Sequence, residues 1–393
     1  MYITTPEQLA EFCEKLGQPE MMAIDTEFVR EKTYYHRLGL VQVGAEGHYA
    51  AIDPISIKDL TPLLNLIANP ETLKVFHAGK QDLEILYNLM GEAVNPIFDT
   101  QIAASLLGWG GQISFAKVVK RVTGKTIHKT ETYSDWCRRP LSKSQIDYAI
   151  DDVRYLVPVY EYLVKSLEKM GRLDWLEEEF LPLTDPKNFT PAEPSRQFMR
   201  IKNFRTLKPR NLAVLCELAA WREEEAMRRD CLAKFIIRDE PLLEMARKTP
   251  GDIKALEMIR GIHGKEIKNS GKKILKAIER GLEMPEENIP KIPESNSYST
   301  RRGVEELLIA YVQVRSEDLK IEPHVLADRK QIHDFVKRHE LKENLEGHSL
   351  LSGWRHTLIG AELHDMLTGK AGLSINDQGR VVLVYGGSEP SSS

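Results

Sequence analysis

The sequence predicts an α/β domain, with a mixed sheet flanked by helices, followed by two all-α helical bundle domains. Strand-like segments are found only in about the first 180 residues, and helical periodicity dominates the rest of the chain. Two Pro-rich stretches, Leu181 to Pro194 and Met284 to Ser299, separate the three regions. We therefore expect domains at 1–180, 196–283 and 300–376, linkers at 181–195 and 284–299, and a disordered tail at 386–393.

Strand and helix patterns follow one another in a definite order within the first region. The apolar run MMAI leads into Asp25, and LGLVQVG and HYAAID read as short strands. A helix near residues 57–68, a strand in LKVF and a helix at about 80–90 come next. Ser142 and Gln145 then fit a capping box at the start of a longer helix. This order predicts a sheet formed early in the chain, with helices packed on it.

The two helical regions resemble each other weakly at an offset of 90 residues. Ala220-Trp221 aligns with Ala310-Tyr311, and Ile236 aligns with Leu326. We expect a duplicated helical domain, with two unrelated bundles as the alternative.

Composition restricts the class of protein. Apolar residues make up 42% and charged residues 28% of the 393-residue chain, which is ordinary for a soluble protein of several domains. Apolar runs stop short of the roughly 20 residues that span a bilayer, and the start MYITTPEQLAEF does not resemble a secretory signal. The four cysteines form no C-x-x-C pair. We therefore expect a cytoplasmic protein with reduced thiols, without a zinc site or a membrane partner.

The distribution of charge matters more than its sum. A net charge of -4 argues against a nucleic-acid partner. However, the stretch from Arg196 to Arg210 carries six basic side chains and no acid, and Lys254 to Arg280 carries eight basic and three acidic ones. Such runs indicate either phosphate-binding surfaces or solvated helix faces.

Paired acids follow the first strand. Asp25 and Glu27 are two residues apart, so on a strand both side chains point to the same face. Two carboxylates this close repel each other, whereas a bound Mg²⁺ or Mn²⁺ turns the pair into an oxygen site. Asp82 lies in the first turn of the helix after LKVF, where it either faces the same site or offsets the helix dipole.

A further acid is predicted on the long helix. Tyr148 and Asp152 are four residues apart and share one helix face. Asp151 is turned about 100° away, so only one of the two adjacent acids is expected in the site. Pro158 should kink this helix further on.

The ordered set of Asp-x-Glu, Asp82 and Tyr-x-x-x-Asp resembles the ribonuclease D family, in the tyrosine-type branch of the four-acid 3′–5′ exonucleases. The resemblance covers about residues 1–180 and implies a ribonuclease H-like nuclease domain. The helical regions are similar, more loosely, to the helicase-and-RNase-D C-terminal (HRDC) domain, of which this family carries two copies.

The resemblance implies a reaction and its residues. Two divalent cations, Mg²⁺ or Mn²⁺, would promote hydrolysis from the 3′ end of RNA and release nucleoside 5′-monophosphates. Tyr148 would orient the attacking water. The implied substrates are tRNA precursors and other small structured RNAs, with no obligate protein partner evident. The implied metal ligands are Asp25, Glu27, Asp82 and Asp152.

Two other functions stay open. A DNA exonuclease of repair or proofreading type would use the same metal core, although no G-x-x-x-x-G-K-[ST] segment accompanies it. A catalytically silent RNA-binding module is the other alternative, although all four acids and the tyrosine are present.

Several further residues have two interpretations. His77 either contacts the scissile phosphate or satisfies a backbone carbonyl, and Asp99 is expected to be an N-cap. Trp136 and Tyr133 are either base-stacking or core side chains. Basic residues that either line a path for the substrate strand or are simply solvated are Lys117, Lys120, Arg121, Lys125, Lys129, Arg138 and Arg139.

Overall fold

The computed structural model of the protein describes residues 1–127, 131, 134–190, 193–290 and 302–386. Lys129, Tyr133, part of each predicted linker and all but the first residue of the predicted tail lie outside the described residues. Across the described residues, no helix combines the length and the apolar character that a membrane span requires.

A six-stranded mixed sheet forms the centre of the first region, with strand order β1-β4-β3-β2-β5-β6. Its strands are β1 (Tyr2–Ile3), β2 (Met21–Val29), β3 (Arg37–Ala45), β4 (His48–Ile52), β5 (Leu73–Phe76) and β6 (Ile97–Asp99). Strand β5 runs parallel to both β2 and β6, and β3 and β4 are antiparallel. The predicted mixed sheet is therefore confirmed, and β2, which carries the paired acids, occupies an interior position.

Helices flank this sheet. They are α1 (Pro6–Leu16), α2 (Thr61–Ala68), α3 (Lys80–Met90), α4 (Thr100–Leu106), α5 (Phe115–Thr123), α6 (Lys143–Lys169) and α7 (Trp175–Thr184). The predicted capping box of α6 is present, with the Ser142 side chain accepting from the amide of Gln145. Helix α6 continues past Pro158 as one element. Helix α7 ends at Thr184, inside the predicted linker, and the domain boundaries themselves stay a prediction.

One compact unit comprises Phe28–Leu38 and Phe189–Asn296. Its helices are α8 (Pro209–Arg228), α9 (Ala233–Ile236), α10 (Asp239–Lys248), α11 (Ile253–Glu257) and α12 (Gly264–Glu283). The loop that follows β2 belongs to this unit, because the Tyr34 hydroxyl donates to Glu223 at 2.7 Å. Phe198 and Phe204, which stand between the basic residues of the sequence, are buried in its core.

The last region is helical and ends in a hairpin. Its elements are α13 (Arg302–Leu319), α14 (Pro323–Leu326), α15 (Arg329–Glu340), α16 (Gly353–Arg355), a π-helical turn (His356–Gly360), α17 (Ala361–Leu367), β7 (Ala371–Ile375) and β8 (Val381–Tyr385). The antiparallel β7–β8 hairpin is not among the predicted elements, although VVLVY in β8 is rich in β-branched residues. The expectation of a purely helical region is therefore wrong at its C-terminal end.

The two helical regions repeat the same local structure. Helices α9 and α14 begin 90 residues apart, at Ala233 and Pro323, as do α10 and α15. The turns before them also match, because Asp230 and Lys320 both have positive φ angles, of 46° and 53°. This regularity supports the predicted duplication.

The last region shares its hydrophobic core with the nuclease region. Both belong to one compact unit, which comprises Met1–Glu27, Gly39–Asn188 and Ser297–Ser393. Trp175 stacks on Trp354 with ring centroids 4.7 Å apart. The last helical region is therefore part of the fold that carries the acids.

Candidate active site

Three predicted acids converge in space. Among the described residues, Asp25, Glu27 and Asp152 each offer a carboxylate oxygen, and these atoms lie within 4.8 Å of one another. Asp25 and Glu27 alternate with the buried Thr26 on β2, and Asp152 lies on α6, which packs against the sheet. Residues more than 120 positions apart in sequence thus meet at one point, as the sequence analysis predicts.

Asp82 lies beside this group. Its side chain is 7% exposed in the first turn of α3, and its carboxylate accepts a hydrogen bond from the Thr26 hydroxyl. Its negative charge raises the pKa of both acids on β2. Asp82 is therefore close enough to act on the pair, although it is outside the set of three converging oxygens.

Burial and mutual repulsion dominate the electrostatics of the acids. Burial, followed by the charges of Asp82, Asp152 and Glu27, raises the pKa of Asp25 well above its usual range. Burial and the charges of Asp152 and Asp82 raise the pKa of Glu27 to about 8. Burial raises the pKa of Asp82 to about 6, against the opposing hydrogen bond from Thr26. In the free protein, burial and mutual repulsion therefore disfavour the ionised forms of these carboxyl groups.

This arrangement fits a divalent cation. Hard cations such as Mg²⁺ and Mn²⁺ take oxygen ligands, and three convergent carboxylate oxygens supply them. A cation among them would also offset the repulsion that raises the pKa values of the acids.

Tyr148 presents its phenol to the same acids. It lies one turn before Asp152 on α6 and shares a hydrogen bond with that carboxylate. Burial, followed by the charges of Asp152, Glu27 and Asp25, raises the pKa of the Tyr148 phenol. In the free protein these causes favour the protonated phenol, which can act as a hydrogen-bonding group.

Asp151 faces elsewhere, as its position on the helix predicts. Its carboxylate pairs with Arg154 at 2.7 Å, and the Asp151 and Arg154 side chains are 38% and 50% exposed.

A cavity opens beside the acids. Its volume is about 530 Å³, within the range typical of small-ligand sites. The lining residues are Asp25, His77, Ala78, Gln101, Gln112, Ser114, Phe115, Tyr148, Asp152 and Leu156.

His77 lies in the cavity wall and also satisfies a backbone carbonyl. Its Nε2 is 3.1 Å from the Ile113 carbonyl oxygen, so this nitrogen donates, and its Nδ1 is 2.9 Å from the Thr100 hydroxyl. The predicted interaction with a backbone carbonyl is therefore present, and contact with the scissile phosphate stays a prediction.

Asp99 caps α4, as predicted, and its carboxylate also accepts hydrogen bonds from the turn between β5 and α3. Its carboxylate accepts from the amides of Gln101 and Ile102, and from those of Ala78 and Gly79. Ala78 has a positive φ of 59°, which is unusual for a residue with a side chain. Asp99 thus fixes the turn between β5 and α3, which the sequence analysis missed because the two partners are distant in sequence.

We expect Asp99→Ala to lower the free energy of unfolding by about 2–4 kcal/mol, because four backbone amides lose the buried carboxylate that accepts from them. Asp252→Ala is the matched control, since Asp252 caps an exposed helix start and accepts from one amide, that of Ala255. It should cost about 1 kcal/mol. Urea denaturation measures both, and equal losses would contradict this role of Asp99.

Two candidates for substrate contact are structural instead. The Arg139 guanidinium binds both carboxylate oxygens of Asp53 at 2.7 Å, and Asp53 is buried. Trp136 is 2% exposed and belongs to a small core cluster. Arg139 therefore stabilises the fold rather than lining a path, and Trp136 is a core residue.

Comparison with protein families assigns three segments of the chain. Residues 1–168 match the 3′-5′ exonuclease family model. Residues 211–278 match the HRDC domain, and residues 304–363 match the ribonuclease D C-terminal HRDC domain.

Relatives of known name match over nearly the whole chain. The ribonuclease D of Nitrobacter hamburgensis is 36% identical over 384 residues, which is 97% of this chain and 98% of the relative. The ribonuclease D of Escherichia coli is 36% identical over 370 residues, covering 93% of this chain and 97% of the relative. The crystal structure of Escherichia coli RNase D, described as an exoribonuclease involved in structured RNA processing, superposes with a TM-score of 0.82 at 35% identity, covering 94% of this chain and 98% of that one.

Proposed function

This chain belongs to the ribonuclease D family, and on that premise we propose how its acidic cavity hydrolyses RNA. The protein is a 3′–5′ exoribonuclease, a hydrolase that cleaves phosphodiester bonds from the 3′ end. The observation that carries the proposal is the convergence of Asp25, Glu27 and Asp152 beside the cavity.

We propose that the acids would hold two divalent cations, Mg²⁺ or Mn²⁺. When bound, such cations supply charge stabilisation for the attacking and leaving oxygens of an in-line displacement. Asp25, Glu27 and Asp152 would contribute the convergent oxygens, and Asp82 would complete the ligand set from α3. The buried Thr26 hydroxyl orients the Asp82 carboxylate.

Tyr148 positions the attacking water. Its phenol lies beside the acids and is kept protonated by burial and by their charge. With its O–H directed to the Asp152 carboxylate, the phenol oxygen is left to accept a hydrogen bond from the attacking water and so to orient it.

The cavity receives the terminal nucleotide. Its volume of about 530 Å³ and its mixed lining of the Phe115 ring and polar groups suit a base and a sugar-phosphate. A terminal nucleotide lodged there places its phosphodiester against the acids, so cleavage releases a nucleoside 5′-monophosphate.

The substrates we propose are tRNA precursors and other small structured RNAs. Basic side chains of α12 and of the 196–210 segment supply phosphate contacts in the first helical region. The involvement of the Escherichia coli relative in structured RNA processing supports this choice.

End-labelled RNA tests the proposal. We expect Mg²⁺ or Mn²⁺ to support stepwise release of mononucleotides from the 3′ end, and a chelator to stop it, because the acids alone repel one another and cannot stabilise the leaving oxygen. Gel electrophoresis and thin-layer chromatography resolve the products.

The same assay separates the alternatives. Faster release from single-stranded DNA than from RNA would favour a DNA exonuclease. RNA retention without cleavage would favour a silent binding module. Internal fragments, or cleavage that persists in chelator, would contradict the proposed reaction.

A further inference from the structure

A buried arginine links the nuclease region to the last helical region. Arg172 is 8% exposed, and burial lowers the pKa of its guanidinium. Its Nη1 donates to the Leu106 carbonyl at 2.7 Å, and its Nη2 donates to the Leu319 carbonyl at 2.5 Å. The Trp175 ring lies 5.3 Å from the guanidinium carbon. One side chain thus joins two main-chain segments that are 213 residues apart.

Both carbonyls stand at helix ends. Leu106 is the last residue of α4, and Leu319 is the last residue of α13. Carbonyls in the last turn of a helix lack partners within the helix and carry the negative end of its dipole. A guanidinium between two such ends is favourably placed even though its charge is buried, because it neutralises both. Loss of this group would remove the guanidinium donor from both the Leu106 and the Leu319 carbonyls.

The segments that follow these helix ends also touch. A Cβ atom on Gly108 would lie 2.5 Å from the Lys320 carbonyl oxygen, so the two backbones are in direct contact. A Cβ atom on Gly111 would overlap the imidazole of His324. The segment Leu107–Ile113, here called the wall loop, therefore packs against the turn that begins α14.

The wall loop forms one side of the catalytic cavity. Gln112 lines that cavity, and Ser114 and Phe115 follow directly. The Ile113 carbonyl accepts from Gln101 Nε2 at 3.0 Å and lies 3.1 Å from His77 Nε2. A shift of this loop would change the space that receives the terminal nucleotide while leaving the acids on β2 and α6 in place.

We propose that Arg172 is a positioning residue: by tying α4 to α13, it fixes the wall loop and sets how well the terminal nucleotide is held. The inference rests on the proposed function, since it assigns the cavity to that nucleotide. It gives the last helical region a role in shaping the active site, which is different from supplying phosphate contacts.

The test compares Arg172→Met with Arg222→Met in the full-length protein. Arg222 is a control of similar burial, because it is 7% exposed and its Nη1 donates to a main-chain carbonyl, that of Ile237, at 2.9 Å, as well as to the Asp239 carboxylate at 2.7 Å. It lies in the first helical region, away from the wall loop in sequence. Steady-state kinetics use a five-nucleotide RNA with Mg²⁺. We expect Arg172→Met to raise KM about tenfold with a smaller change in kcat, because the loop that holds the nucleotide loses its anchor.

Arg222→Met should destabilise the protein without changing KM for this short RNA. Arg172→Lys retains a cation with fewer hydrogen-bond donors and should give a KM between those of wild type and Arg172→Met. If Arg172→Met does not fold, Arg172→Lys is compared with Arg222→Met instead. A KM for either Arg172 variant that matches wild type, or that matches Arg222→Met, would overturn the proposal.

Hydrogen exchange gives a readout that does not depend on activity. Amides of residues 107–114 should exchange at least about tenfold faster in Arg172→Met and at the wild-type rate in Arg222→Met. Unchanged exchange would overturn the anchor role. A wild-type protein that releases no nucleotide would instead refute the proposed function, while the exchange result would still test the anchor.

Discussion

Asp152→Asn is expected to lower kcat for RNA by at least about 10³-fold, equivalent to about 4 kcal/mol of transition-state stabilisation. The amide keeps the size of the side chain but removes one of three convergent charges, so the proposed cations lose a ligand and Tyr148 loses its charged partner. In chelator, the variant should unfold at or above the wild-type temperature, because its missing charge relieves repulsion on Asp25 and Glu27. Single-turnover kinetics and thermal denaturation measure the two effects.

Asp151→Asn is the matched control for this prediction. It makes the same chemical change at the adjacent residue, whose carboxylate pairs with Arg154 on the exposed side of α6. An exposed ion pair contributes little to stability, and this variant should retain near-wild-type kcat. If Asp151→Asn and Asp152→Asn lose comparable activity, the loss in Asp152→Asn comes from damage to helix α6 and not from removal of the acid in the cavity.

Tyr148→Phe is expected to lower kcat about 10²-fold with little change in KM or in the metal concentration for half-maximal activity. The substitution removes only the hydroxyl, so the carboxylates that hold the cations stay in place and the attacking water loses one hydrogen bond. Activity measured across a series of Mn²⁺ concentrations separates these parameters.

Tyr162→Phe serves as the comparison for Tyr148→Phe, because Tyr162 lies on the same helix and is 44% exposed. It should leave kcat unchanged. Wild-type turnover in Tyr148→Phe would remove the phenol from the reaction, and a large rise in the Mn²⁺ requirement would assign it to cation binding instead.

The acidic site was largely predictable from sequence because its geometry is local to each element. Two-residue spacing on a strand places Asp25 and Glu27 together, and four-residue spacing on a helix places Tyr148 with Asp152. The capping box at Ser142 and the strand patterns fixed the elements themselves. Convergence of the acids then required only that α6 pack against the sheet that contains β2, which the resemblance to a known family implied.

Contacts between distant segments were not predictable in the same way. The sequence around Asp99 is that of an ordinary helix N-cap. Its neighbours in sequence do not indicate that the carboxylate also accepts from the amides of Ala78 and Gly79. The sequence around Arg139 is typical of an exposed basic residue. In the structure, however, the Arg139 guanidinium binds the carboxylate of the buried Asp53. In both cases the decisive partner is set by tertiary packing and not by the spacing of residue types.

The arrangement of the domains was the largest omission. Proline-rich stretches predicted three separate domains in the order of the chain, whereas the last helical region shares a core with the nuclease region. Its apolar side chains at helical spacing predict a buried face without saying which surface covers it. Removing everything beyond residue 195 would therefore strip part of the nuclease core as well as any RNA contacts.

The central claim is that four acids from separate elements hold two divalent cations beside one phenol. Crystals soaked in Mn²⁺ and measured at the manganese absorption edge test it most directly. The account predicts two anomalous peaks roughly 4 Å apart, with carboxylate oxygens of Asp25, Glu27, Asp82 and Asp152 around them. A map with no peak among these side chains, or with manganese bound only elsewhere on the protein, would contradict it.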